Sequence, residues 1–365
     1  MVNAYGFPRN MLPLIRCIVD KGELLVTDEK RSDEERIADG NLRCVNCSCE
    51  YKIECGIVRL MAQTLTQESE HEIWLKDQEY EAMPEVFVPP EDSWRSEFMD
   101  AIEIPPHLDA IGNLEGRRVL ELGSGDGRFT ILMGQLGAEV LALDFSFAAL
   151  RKLSTRLATG TAPTAFKVDA PRFAGRLTER IALVQADASN FHVAPRAFHR
   201  ALSATPLDSR DERMKMYCSI AEALTDNGRY VAGVEHDDFY RKLLGLPLLR
   251  RYTPGGILIE HLDIPTMRRE MSPYFCRLHI RPIRAHLPFV KRLPMNIRIA
   301  ISKAVIAIPL AKRVGTLLLA VAENPRRLPQ DGARRASYLG ARALYRRYKQ
   351  WRGEEALWSK GDGPV

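Results

Sequence analysis

The chain has 365 residues, 45 % of them hydrophobic, and a formal net charge of +5. That length exceeds one typical domain and the apolar content suffices for a packed core, while no run approaches the ~18 consecutive apolar residues of a membrane-spanning helix. The charge is uneven: residues 265–313 hold eleven Lys/Arg against the single acid Glu270, and residues 324–365 hold ten against four, so residues 1–264 are net acidic. A basic C-terminal half fits an anionic partner, whether RNA, a phosphate-bearing acceptor or a membrane surface, and equally fits a solvated surface.

Within residues 1–20 the only apolar stretch, Leu12–Ile15, is too short for a secretion signal, so the expectation is a cytoplasmic location, free or at the membrane periphery. Five of the seven cysteines lie before residue 56, and without a secretion signal such clustering favours metal binding over disulfides. The spacing is Cys17-x-x-Asp20, then Cys44-x-x-Cys47, then Tyr51-x-Ile53-x-x-Gly56-Ile57. This pattern over residues 11–61 resembles the small zinc-ribbon domain found fused to, or partnering, many methyltransferases. The ribbon pattern has C-x-x-C twice before Tyr-x-Ile-x-x-Gly-Ile, and here Asp20 stands where the second cysteine belongs. Zinc takes four N, S or O ligands in a tetrahedron, so Cys17, Asp20, Cys44 and Cys47 are candidate ligands of a structural site, with Cys49 as a substitute. A ribbon that has lost its metal and is held by its small core is the alternative.

Residues 62–112 read as a linker and capping helices. A polar helix is expected over 62–83, and Pro84, Pro89 and Pro90 then break regular structure. Two short helices, 93–102 and 106–111, are expected before the first core strand. Trp94 and His107 on them are candidates for an acceptor pocket or for ordinary packing.

The core, residues 113–325, opens with an apolar strand, Arg118–Leu122. It runs into Glu121-x-Gly123-Ser124-Gly125-x-Gly127 and a helical pattern from Phe129. Glycines are needed where backbone turns sharply against a ligand, and a helix N-terminus offers unpaired N–H groups to it. The dinucleotide fingerprint G-x-G-x-x-G fails here because its third position is Arg128. A second apolar strand ends in Asp144, about 20 residues past the first glycine, where a βαβ unit sets a carboxylate against ribose hydroxyls. A third ends in Asp187.

The stretch from Glu121 to Gly127, with the two later acids, resembles motif I and its sequels in class I S-adenosylmethionine (SAM) dependent methyltransferases. The resemblance spans about residues 117–323. It implies an α/β fold with a Rossmann-like seven-stranded sheet, the small zinc-ribbon-like domain (1–61) before it and a basic helical tail (326–365) after it. It implies SAM as cofactor, with Glu121, Gly123, Ser124, Gly125 and Gly127 shaping the methionine side. Asp144 would hold the ribose and Asp187 the adenine, with Phe145, Ala188 and Ser203 as further cofactor-binding candidates.

Between the second and third strands, residues 155–180 read as an insertion of the kind that forms lids or binding loops. Strand four, residues 197–203, carries His199 where the family usually has an acid. Its following loop, Ala204-Thr-Pro-Leu207, lacks the (N/D/S)-P-P-(Y/F) motif of nucleobase amino methyltransferases. A helix over 214–225 and a turn at 226–229 lead to strand five, which ends in His236. His236 is the general-base candidate by position, and Glu260 with His261 form a second candidate pair; structural roles are the alternative for all three. Strands six (275–284) and seven (316–322) fit the antiparallel hairpin that closes the fold. The apolar, basic segment 287–313 between them suits either an anionic membrane surface or a helix packed on the core. The expected function is O-methylation of a small-molecule or lipid-like acceptor. RNA methylation through ribbon and tail, and a non-catalytic SAM-binding partner subunit, are the alternatives.

Overall fold

The computed structural model describes residues 5–62, 67–83, 97–161, 164, 166–168, 176–204, 209–236, 250–252, 258–285, 292–308 and 315–327. The N-terminal part holds β1 (Phe7–Pro8), a 3-10 helix (Arg9–Leu14), the long hairpin β2 (Leu24–Ser32) and β3 (Arg36–Cys44), then β4 (Glu50–Glu54) and β5 (Ile57–Leu60). Helices α1 (Gln67–Ala82) and α2 (Glu97–Ile111) follow. The core alternates β6 (Arg118–Leu122), α3 (Thr130–Gln135), β7 (Glu139–Asp144), α4 (Phe147–Thr159), α5 (Leu177–Arg180), β8 (Ile181–Ala186), β9 (Phe198–Ser203), α6 (Arg210–Ala223) and β10 (Leu224–Glu235). A small pair, β11 (Arg250–Tyr252) and β12 (Leu258–Glu260), leads to α7 (Ile264–Met271), β13 (Phe275–Ala285), α8 (Met295–Ala307) and β14 (Gly315–Pro325).

The core sheet runs β8-β7-β6-β9-β10-β14-β13. The first five strands are parallel, and β14 lies antiparallel between β10 and β13. This is the expected Rossmann-like seven-stranded sheet with its closing hairpin. β7 and β8 are apolar and buried along nearly their whole length, as parallel strands covered on both faces must be. Strand order reverses between β6 and β9, which opens a crevice at the C-terminal edge of the sheet.

The cysteine-bearing strands extend that same sheet. β5 pairs in parallel with β8, from Ile57↔Leu183 to Leu60↔Ala186, and β4, β3 and β1 continue outward. The Tyr5 hydroxyl donates to the Ile181 carbonyl at 2.6 Å. One apolar cluster joins Phe7, Ile37, Leu42, Ile53 and Val58 to Leu141 and Val184.

Two local expectations are corrected. The two short helices before β6 are one helix, α2, that passes through Pro105 and Pro106. Proline φ is helical, and the buried Ile102, Ile104 and Ile111 hold the helix in place although two N–H donors are missing. The turn at 226–229 lies inside β10, which follows α6 directly and carries a register shift between Leu224 and Arg229. No helix among the described residues is long and apolar enough to cross a membrane.

Candidate functional site

The crevice is built from the glycine turn after β6. Gly123 (φ 71°), Gly125 (φ 55°) and Gly127 (φ 96°) all adopt left-handed backbone. At Gly127 a Cβ would stand 2.3 Å from Leu153 Cδ1, so helix α4 packs where a side chain would be. The N–H groups of Gly123 and Ser124 donate to the Leu143 carbonyl at 2.9 and 3.0 Å, tying the turn to β7. Asp144, at the end of β7, closes the turn: its Oδ2 accepts from Gly125 N at 2.7 Å and its Oδ1 from Ser146 N at 2.9 Å. Glu121 Oε2 accepts from the Thr130 hydroxyl at 2.6 Å.

Both carboxyls are buried, and burial sets their titration. Glu121 is pushed up to about 8, against the pull of the Thr130 hydrogen bond and with the charge of Asp144 adding to the rise. Asp144 is pushed up to about 6, against the Ser146 and Gly125 N–H groups that favour its anion. Beside them the Ser124 hydroxyl is buried with no hydrogen-bond partner among the described residues. A turn with left-handed glycines, two desolvated carboxyls and an unsatisfied hydroxyl fits a polar ligand with hydroxyl and ammonium groups, as a nucleoside amino acid such as SAM has.

The remaining cofactor candidates line the same sheet edge. Asp187 and Ala188 follow β8 and are half-buried, and Asp187 Oδ1 accepts from Ser189 N at 2.7 Å. Phe145 is half-buried, and its carbonyl accepts from Gln185 Nε2 at 2.9 Å. The buried Ser203 hydroxyl is engaged with the Tyr230 hydroxyl at 2.6 Å, so only its backbone is left to face the crevice.

Across the crevice stands a charged network. Arg128, just past the turn, holds Asp100 (2.7 Å) and Glu103 (3.0 Å) of α2. Arg284 of β13 holds Glu103 (2.5 Å) and Glu235 at the end of β10 (2.7 Å), and its Nε donates to the Thr316 hydroxyl at 3.0 Å. His107 Nδ1 donates to the Glu103 carbonyl at 2.6 Å. Its ring packs on Phe129, and a Cβ at Gly233 would lie 2.6 Å from its Nε2, so β10 needs glycine there. Burial pushes His107 down to about 4, which keeps the imidazole neutral.

His236 and His261 sit together where β10 ends. His236 forms a bridge to Leu262, and its Nδ1 donates to the Leu262 carbonyl at 2.8 Å. His261 Nδ1 donates to the His236 carbonyl at 2.9 Å, and its Nε2 is buried without a partner among the described residues. A carbonyl only accepts, so each ring carries a proton on Nδ1. Glu260 is turned away into a buried pair with Arg213 (2.8 Å), which also binds Glu270 (2.9 Å).

Glu103, Glu235, Arg128 and Arg284 were not singled out as site residues from the sequence. A signal existed for α2: Asp100, Glu103 and His107, at i, i+3 and i+7, put a polar stripe on an apolar helix. Trp94, the loop at 205–208, residues 237–249 and 253–257 of the post-β10 insertion, and the tail beyond 327 lie outside the described residues.

In the N-terminal part, one ligand atom each from Cys17, Asp20, Cys44 and Cys47 lies within 4.8 Å of the others. Cys17 and Cys47 sulfurs are 3.5 Å apart, and Cys44 Sγ lies 3.2 Å from Asp20 Oδ1. Zinc–sulfur bonds of about 2.3 Å in a tetrahedron set sulfurs just under 4 Å apart, so the quartet fits the ion. Backbone N–H groups of Val19 and Asn46 point at the Cys17 and Cys44 sulfurs, both at 3.4 Å. A Cβ at Gly22 would lie 2.6 Å from Cys44 Sγ, so only glycine closes this loop. Cys49 stands outside the quartet.

No family model and no curated protein matches the chain. Solved structures do. A SAM-dependent methyltransferase from Mesorhizobium loti is 17 % identical over 63 % of this chain and 100 % of its own, with a TM-score of 0.41. The Burkholderia thailandensis 1,6-didemethyltoxoflavin-N1-methyltransferase, with its substrate and S-adenosylhomocysteine bound, is 15 % identical over 77 % of this chain and 98 % of its own, with a TM-score of 0.43. Phosphoethanolamine N-methyltransferase 2 of Haemonchus contortus, in complex with SAM, is 14 % identical over 65 % of this chain and 59 % of its own, with a TM-score of 0.41. These three solved structures are methyltransferases, and two of them hold SAM or S-adenosylhomocysteine.

Proposed function

We propose that the chain is a SAM-dependent methyltransferase acting on the oxygen of a small-molecule or lipid-like acceptor. The observation that carries this is the glycine turn closed onto Asp144, with the unsatisfied Ser124 hydroxyl buried beside it. Glu121, Gly123, Ser124, Gly125 and Gly127 would hold the amino-acid end of SAM, Asp144 the ribose, and Phe145, Asp187 and Ala188 the adenine, with the Ser203 backbone closing the far side. Bound SAM supplies an electrophilic methyl group. The chain contributes alignment and a base. His236 Nε2, oriented by the Nδ1 bond to Leu262, takes the acceptor hydroxyl proton, and His261 braces it from behind.

The lipid-like acceptor draws support from α8. This helix packs on α2 and β13, which carry Glu103 and Arg284. The residues it buries are Arg298 and Ser302, while Met295 and Ile297 (each 42 % exposed) and Ile308 (53 %) turn outward, with Arg292 and Lys303 exposed beside them. An apolar, basic face next to the acceptor end suits an anionic membrane surface.

The test is transfer of a radiolabelled methyl group from SAM into host extract, fractionated into RNA, protein, lipid and small molecules. Label in the lipid or small-molecule fraction supports the reading. Label in RNA overturns the acceptor class, and SAM binding without any transfer makes the chain a partner subunit. For the N-terminal quartet we propose structural zinc. Metal analysis of the purified protein should find about one zinc per chain, lost in Cys44→Ser.

A further inference from the structure

The cofactor edge of the sheet does not end at β8. Strand β5, from the cysteine-bearing part, runs parallel to β8, and the register places Arg59 beside Gln185 and Gln185 beside Asp144. Residues in direct register share a face, so three polar side chains form one row across β5, β8 and β7. The row is bonded. Arg59 Nε donates to Gln185 Oε1 at 2.9 Å, and Gln185 Nε2 donates to the Phe145 carbonyl at 2.9 Å. That carbonyl lies in the short link between Asp144, the ribose candidate, and Ser146, the N-cap of α4.

Arg59 is itself fixed from two sides. Its guanidinium stands 4.5 Å above the Phe147 ring in the first turn of α4, and its NH1 pairs with Glu54 at 2.6 Å. Gln185 is buried, and an amide there must have both ends satisfied. Arg59 satisfies the oxygen, which leaves the NH2 group aimed at Phe145. Without Arg59 the amide loses the bond that decides its orientation, and the carbonyl loses a fixed donor.

From this row we infer that Arg59 is a positioning residue for the cofactor's adenosine end, acting through Gln185 on the Asp144–Ser146 link. The N-terminal part then completes the nucleoside side of the site. The inference rests on the SAM reading proposed above. An aspartate at a strand end holds two ribose hydroxyls only if the following peptide keeps its plane, and the Arg59–Gln185 pair sets that plane.

Calorimetry of the full chain with S-adenosylhomocysteine tests it, using wild type, Arg59→Ala, Gln185→Met and the double variant. Each single variant should weaken binding about 5- to 10-fold, the worth of one net hydrogen bond. The double variant should be no weaker than either alone, because both remove the same link. A merely structural role for Arg59 would instead give additive losses, or would leave affinity unchanged while melting temperature falls. Either result overturns the inference, as would singles within twofold of wild type. If Arg59→Ala does not fold, Arg59→Lys takes its place, keeping the cation over Phe147 while losing the Nε–H donor. Failure of wild type to bind the ligand at all would sink the SAM reading itself, and is distinct from a variant that binds as wild type does.

Discussion

Glu121 and Asp144 on one side of the crevice, and Glu103 and Glu235 on the other, are carboxyls at the same edge of the same sheet, held in opposite ways. The first pair is surrounded by N–H groups, a threonine hydroxyl and each other, with no ion pair to either among the described residues. The second pair is clamped by one guanidinium, Arg284, with Arg128 adding a second contact to Glu103. Burial raises the first pair towards the neutral acid. The difference teaches what each side is for. Carboxyls left desolvated and unpaired gain most from a ligand that brings hydroxyl and cationic groups. Carboxyls already neutralised by arginine have little left to offer a ligand and act as a frame that holds α2, β10 and β13 together.

The frame is the place where a single change should do the most damage. Arg284→Met leaves Glu103 and Glu235 without their shared cation. Removing one partner of a buried pair costs about 3–5 kcal/mol. Urea denaturation of the ligand-free chain should show a loss of that size, and a loss below about 1 kcal/mol would mean that the acceptor side is not held by its charges.

On the cofactor side the large effect should be on binding. Asp144→Ala removes the proposed ribose acceptor and the partner of Gly125 N, and should reduce SAM affinity by at least about 100-fold, since hydrogen bonds to a charged group contribute about 1.5–3 kcal/mol each. Circular dichroism should show the fold retained. Unchanged affinity in calorimetry would remove the cofactor assignment.

The two sides also differ in how they answer pH. A carboxyl whose folded pKa is raised stabilises the fold below its ordinary value, and that contribution is lost as pH rises through the folded pKa. For Asp144 the window runs from 3.8 to about 6, and for Glu121 from 4.5 to about 8. His107 acts in the other direction: its depressed pKa costs stability as pH falls from 6.5 to about 4. The ligand-free chain should therefore lose melting temperature between pH 6 and 8 in a manner that Glu121→Gln flattens. A constant offset between variant and wild type over that range would show that Glu121 ionises freely.

Much of this contrast could be read in the chain before folding. Glycines at alternate positions after an apolar strand, and acids at the ends of the next two strands, are local signals, and the structure gathers Gly123–Gly127, Asp144 and Asp187 along one edge. The Cys17, Asp20, Cys44 and Cys47 spacing is local too, and the four ligand atoms come together. What could not be read were relations that depend on long-range register. Nothing near Ile57–Leu60 says that β5 will lie against β8, so Arg59 and Gln185 looked like ordinary strand residues. Arg284 was hidden in a block of basic residues, where one buried guanidinium is indistinguishable from solvated neighbours. The local pattern reads as two short helices, 93–102 and 106–111, and only the buried face of α2 explains why the helix continues through Pro105 and Pro106.

The smallest effect should sharpen the contrast most. Thr130 is fully buried, and its hydroxyl is the side-chain donor to Glu121, at 2.6 Å. Thr130→Val keeps the shape and deletes that donor. The bond favours the ionised carboxyl, so the variant should lift the Glu121 pKa further above about 8. The stability loss, about 0.5–1.5 kcal/mol, should then appear mainly above pH 8, where wild-type Glu121 is ionised and has most to lose. Near pH 5, where the carboxyl is protonated in both proteins, the two melting curves should nearly coincide. A loss larger at pH 5 than at pH 8 would mean that Thr130 supports the fold by packing alone, and Glu121 would then be a carboxyl held by burial with nothing tuned around it.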